Sequence, residues 1–164
     1  MKKHKFYEGV WQFKHYRKGN LLWESGPVHN DLVDSGEEAM LKAFFRGSSV
    51  PSEFYVRLAK DTIVETDTLI DIAGEHSGDG YSAQLVERSS VGFPQLELIS
   101  GDWRISSKEV EYEASGGDIG PVNVAFLATS SDNSGDLLAF VNLPLERTIL
   151  DGDKAYVSFR VTLK

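Results

Sequence analysis

Apolar and polar positions alternate with a period of two along most of this chain, and short clusters of Gly, Asn, Asp and Ser interrupt the alternation. That is the pattern of antiparallel strands with one buried face each. Residues 5–17 read as a long first strand that carries Phe6, Tyr7, Trp11, Phe13 and Tyr16 on both of its faces. It ends at Lys18-Gly19-Asn20, where glycine supplies the positive φ of a tight turn. Residues 21–24, with Trp23, return as its hairpin partner. Aromatic side chains on both faces predict a hairpin covered on both sides, by the domain or by another subunit. Phe6, Tyr7, Trp11, Phe13, Tyr16 and Trp23 are therefore the candidate interface residues, and residues 5–24 a candidate N-terminal hairpin or assembly arm.

One segment departs from the alternation. Asp34 with Glu37, and Ser35 with Glu38, form two overlapping capping boxes, and the acidic side chains favour the positive end of a helix dipole. Behind them Met40, Leu41, Phe44 and Phe45 form one apolar stripe, and Gly47 is a helix stop. The spacing predicts one short helix near residues 35–46, packed on a sheet by that stripe.

Residues 53–59 alternate again, with Phe54, Val56 and Leu58 opposite Tyr55, Arg57 and Ala59. Residues 60–80 are polar and end Gly-rich, which predicts a long surface loop with one helical turn near residues 68–72. Further strands are predicted at 81–88, 96–99, 103–105, 108–114, 122–129, 136–143, 148–150 and 155–164. About nine or ten such strands predict an all-β fold, an antiparallel β-sandwich of jelly-roll type with the single helix. No repeat or linker divides the chain, so residues 1–164 are read as one domain.

Composition narrows the chemistry. The 164 residues include 17 Lys+Arg and 25 Asp+Glu, a formal charge of −8, and the acidic balance argues against nucleic acid as a partner, which needs clustered cations. The absence of cysteine excludes a disulfide framework, a thiolate zinc site and a cysteine nucleophile. No secretory signal or bilayer-length apolar run is recognisable, so a soluble protein kept in a cytoplasm, or released by lysis, is expected.

Catalytic patterns are equally sparse. His4, His15, His29 and His76 lack the spacing of a local metal motif, and no G-x-S-x-G elbow occurs. Glu109, Glu111 and Glu113 share a strand face at the separation two glycosidase carboxylates need, yet three like charges without neighbouring tryptophans read more simply as a solvated edge. Residues 132–136 look like a calcium loop but lack its full pattern and read as a hairpin turn. No metal, cofactor or catalytic residue is expected.

The order of turn-and-strand motifs carries more information. Asn30-Asp31-Leu32-Val33-Asp34-Ser35-Gly36-Glu37 followed by Phe54-Tyr55-Val56-Arg57-Leu58 resembles the opening of small virion proteins of tailed bacteriophages and prophages. Thr66-Asp67-Thr68-Leu69, Gly80-Tyr81-Ser82, Gly92-Phe93-Pro94, Gly120-Pro121-Val122, residues 125–135 and Arg147-Thr148-Ile149 continue the likeness, with Arg57 and Phe93 as departures from the family's usual residues. The resemblance implies a structural, non-enzymatic protein of the tail, baseplate fibre or capsid decoration, assembled in the bacterial cytoplasm. Its partners would be other virion proteins and further copies in a symmetric homo-oligomer. The alternative is a carbohydrate-binding module whose Trp and Tyr rings stack on host-surface glycans, and a glycan hydrolase using two acids such as Glu109 and Glu111 is the third reading.

Overall fold

A computed structural model describes residues 7–164. Twelve strands and one helix follow in the order β1 (Tyr7–Arg17), β2 (Asn20–Glu24), β3 (Val28–His29), β4 (Asp31–Leu32), α1 (Asp34–Phe45), β5 (Glu53–Ala59), β6 (Gln84–Glu87), β7 (Gln95–Ile99), β8 (Asp102–Ser106), β9 (Val110–Glu113), β10 (Ile119–Ala128), β11 (Leu137–Ile149) and β12 (Lys154–Leu163). They build two antiparallel sheets, so the fold is an all-β sandwich with a single short helix. The first sheet runs β2-β1-β12-β8-β7, with β3 beside β1 and β9 beside β12; the second runs β4-β11-β10-β5-β6.

Alternation decides which side chains meet between the sheets. Trp11 and Phe13 of β1, Val110 and Tyr112 of β9, and Ala155, Val157 and Phe159 of β12 face Val56, Leu58, Val86, Ala125, Leu127, Ala139 and Val141 of the second sheet. The Tyr112 hydroxyl donates to the Val56 carbonyl at 2.7 Å, so the polar tip of this buried ring is satisfied.

The second sheet is covered on its other face as well. Ala59, Val124, Phe126, Ala128, Leu137 and Phe140 point away from the first sheet and are buried under Val33, Ile63, Leu69 and Ile72. Residues 60–80 are irregular and largely exposed, as the sequence predicts, and the loop packs on this face as a flap through an apolar underside. Ile63, Leu69 and Ile72, the buried ones among scattered apolar residues, give no periodic signal, yet they suffice to close the face.

Helix α1 lies where the sequence places it, but turned over. Its N-cap is Val33 with no side-chain cap, so neither capping box forms, and the Ser35 hydroxyl instead donates to the Leu137 carbonyl at 3.0 Å. Gly36 is buried, Ala39 and Ala43 are half-buried, and this small-residue face meets β11. A Cβ built on Gly36 would lie 2.1 Å from the Leu138 carbonyl oxygen. Only glycine lets the helix backbone approach so closely, and that approach turns Met40, Leu41, Phe44 and Phe45 to solvent. The stop at Gly47 follows expectation: its φ is +66°, and the Ser48 amide returns to the Lys42 carbonyl at 3.3 Å.

Strand β11 is continuous where two strands were expected. Val122 opposes Arg147 and Val124 opposes Asn142, so the residues around Pro144 bulge out of the ladder with β10. A bulge is where a strand tolerates proline, which has no amide to donate.

Candidate interaction surface

The six interface candidates divide on structural grounds. Phe6 lies outside the described residues. Trp11 is 3% exposed and Phe13 1%; Trp11 stacks on Phe159 with centroids 5.1 Å apart. Both belong to the core of this chain, which corrects their assignment to an interface. The reason is topological: β1 pairs with β12 from Tyr7 to Tyr16 and with β2 and β3 on its other edge, so it is an interior strand and no projecting arm. Trp23 is half-buried beneath the Arg147 guanidinium, 5.1 Å from its ring centroid. Tyr16 and Tyr156 meet edge to face at 5.5 Å on the outer surface of the first sheet. Tyr7 is half-buried, and its hydroxyl accepts from the Asn30 amide at 3.4 Å. Burial raises the Tyr7 pKa.

Among the described residues, two groups of exposed apolar side chains stand out elsewhere. The first is α1, where Phe44 is 84% and Phe45 75% exposed, with Met40 and Leu41 beside them. The two rings meet each other in an edge-to-face pair at 5.0 Å. The second is the β7–β8 hairpin. Leu96 is opposite Ile105 and Leu98 opposite Trp103, while Ile105 and Trp103 oppose Val161 and Leu163 of β12. Directly opposed residues share a sheet face, and this one continues the inner face of Val157 and Phe159 past the reach of the second sheet. Leu96 is 65% and Trp103 53% exposed there. The helical stripe was visible in the sequence, though as core; the β7–β8 surface has no local signal, since its alternation equals that of any half-buried strand.

Polar clusters in the structure are tied up in internal contacts. Glu109 pairs with Lys14, and Lys154 bridges Glu111 at 2.8 Å and Glu113 at 3.2 Å. Lys154 and the Tyr156 hydroxyl hold the Glu111 carboxyl below its usual range, whereas a glycosidase acid needs the opposite shift. Asp132 spends its carboxylate on the Ser134 amide and hydroxyl within its own turn, which lowers its pKa. Among the described residues no group of three or more His, Asp or Glu is arranged to hold a metal ion, and no helix is long and apolar enough to cross a membrane.

Two buried networks pin the sandwich. Arg57, fully enclosed, donates to both Glu75 carboxylate oxygens, to the Asp132 carbonyl at 2.8 Å and to Asn133 Oδ1 at 2.9 Å, above the Phe126 ring. It joins the flap to the β10–β11 turn. At the opposite end His15 Nε2 lies 2.9 Å from Asp153 Oδ2, and Arg17 clamps the same carboxylate with two bonds of 2.9 and 2.8 Å. Burial lowers the His15 pKa, with Arg147 adding to the effect; Arg17 is the main cause of the lowered Asp153 pKa.

No family model matches this chain, and no curated protein matches it in sequence.

Proposed function

We propose that this protein is a non-enzymatic structural subunit of a tailed-bacteriophage particle, a tail or baseplate-fibre element or a capsid decoration. It works by burying surface against other virion proteins and its own copies. The uncovered face of α1 carries this reading. Two adjacent phenylalanines at 84% and 75% exposure are costly to leave in water, and apolar patches of this kind mark contact sites. The turn-and-strand motifs of residues 30–153 supply the virion context, which the fold alone does not specify.

The test is sedimentation of a phage lysate from the encoding cells, with immunodetection of this chain. Co-migration with intact particles through a density gradient is expected. Recovery only in the particle-free fraction overturns the virion assignment.

The carbohydrate-binding reading rests on one specific feature. Tyr16 and Tyr156 line an open cleft of about 420 Å³ with Glu109 and Lys154, a mixture of ring and hydrogen-bonding groups suited to a sugar. A glycan screen decides it: ligands whose binding is lost on Tyr156→Ala would replace the structural reading with a recognition one.

A further inference from the structure

Resting on the assembly reading above, we infer that the two uncovered apolar faces are mates, and that α1 of one copy docks on the β7–β8 face of the next in a head-to-tail contact. The faces differ in shape in a complementary way. One is a ridge of Met40, Leu41, Phe44 and Phe45 along a helix; the other is a sheet surface centred on Leu98 and Trp103. Helix on sheet is a standard layer solution for covering both.

Area supports a second copy as the occupant. At about 200 Å² for a fully exposed phenyl side chain, Phe44 and Phe45 alone present roughly 300 Å². Met40 and Leu41 bring the helix face to the upper part of the roughly 300–600 Å² that the largest patch on an ordinary monomer reaches. The β7–β8 face is a second patch of similar order on the same chain. Brought together, the two supply about half or more of the roughly 1,200–2,000 Å² total that a specific interface buries, and their polar surroundings supply the rest. One repeated contact leaves neither face over. Because the two surfaces are different, the contact is heterologous, and it propagates into a ring or a line of subunits. Both forms suit a particle component.

A mixing experiment tests the pairing. Phe44→Glu/Phe45→Glu removes the ridge and Leu96→Thr/Leu98→Lys removes its seat; none of these four side chains belongs to either buried core, and circular dichroism with thermal melting checks that both variants fold. In sedimentation velocity over a concentration series, the wild-type chain is expected to form oligomers and each variant alone to stay monomeric. An equimolar mixture of the variants is expected to form a two-chain species, since each retains the face the other has lost. A monomeric wild type, association that survives either variant, or a mixture that stays monomeric overturns the inference. The outcome is separable from the virion assignment: a monomeric chain that still co-migrates with particles leaves that assignment standing without the copy-to-copy contact, and an oligomer absent from particles does the reverse.

Discussion

Arg147 Nη2 lies 3.0 Å from His15 Nδ1, and the bond runs from β11 of one sheet to β1 of the other. A guanidinium can only donate, so Nδ1 is the acceptor and the imidazole is neutral, with its Nε2–H donated to Asp153. Protonating His15 sets two cations against each other in a buried place. A charge-sensitive fastener thus holds the end of the sandwich where β1 turns into β2.

This arrangement has a pH signature. The folded pKa of His15 is lowered by burial and by Arg147, below an unfolded value of about 6.5. Its contribution is fully present above pH ~6.5 and is lost as pH falls from there toward the folded pKa. Asp153, held ionised chiefly by Arg17, adds a second loss that begins only near the ordinary carboxylate range. Urea denaturation at pH 7.5 and 5.5 is expected to show a less stable wild type at the lower pH, and His15→Gln is expected to flatten that difference. His76, also lowered by burial, retains its own share. An unchanged pH slope in the variant would exclude His15 as the titrating group.

Gly36→Ala is expected to destabilise the protein by about 1–3 kcal/mol, although alanine favours helices by about 1 kcal/mol over glycine. The added methyl meets the Leu138 backbone carbonyl at 2.1 Å, and a central strand cannot retreat. A raised urea midpoint would show that α1 is free to lift off β11.

Removing Arg57 takes both charge-assisted bonds from the Glu75 carboxylate, which keeps the Tyr81 hydroxyl as a donor, and takes the guanidinium donor from Asn133 Oδ1. Breaking one partner of such a buried pair costs about 3–5 kcal/mol, with the low end expected because Glu75 retains some contact with solvent. The double variant Arg57→Met/Glu75→Gln is expected to be more stable than Arg57→Met alone. Additive losses in that cycle would mean the two side chains are not coupled.

Leu69→Ala tests whether residues 60–80 are a structural cover. Leu69 is buried against the outer face of the second sheet with Ile63 and Ile72, so truncation is expected to cost about 2–5 kcal/mol and to open the flap to proteases. A loss below about 0.5 kcal/mol, the range of surface substitutions, would show that the loop does not act as a cover.

Strand identity was legible where alternation is strict. Glu53–Ala59 is read from the sequence at its observed bounds, and Val110, Tyr112 and Ala114 face inward with Glu111 and Glu113 outward as their pattern states. The two-residue strands β3 and β4 were not legible, because Val28–His29 and Asp31–Leu32 are too short to show a period and exist only through their pairing with β1 and β11. The bulge at Pro144 was invisible for a related reason: register belongs to two strands, not one. Trp11 and Phe13 were placed on an assembly arm because a two-sided aromatic strand looks the same whether a subunit or the chain itself covers it.

What local pattern settled for this protein is the set of elements, their order and the side of each strand that is apolar, since side-chain direction follows from backbone geometry within a few residues. Which apolar sides are covered was decided in three dimensions. Val157 and Val161 occupy equivalent places in one alternation, yet the second sheet reaches over the first and stops short of the strands that pair with the second. Helix α1 offers two sets of apolar side chains, Gly36-Ala39-Ala43 and Met40-Leu41-Phe44-Phe45, and hydrophobicity alone favours burying the larger. The choice fell to the smaller one because a helix without side-chain bulk can seat its backbone against the Leu138 carbonyl. Burial depends on contacts distant in sequence, and that dependence left the phenylalanines outside.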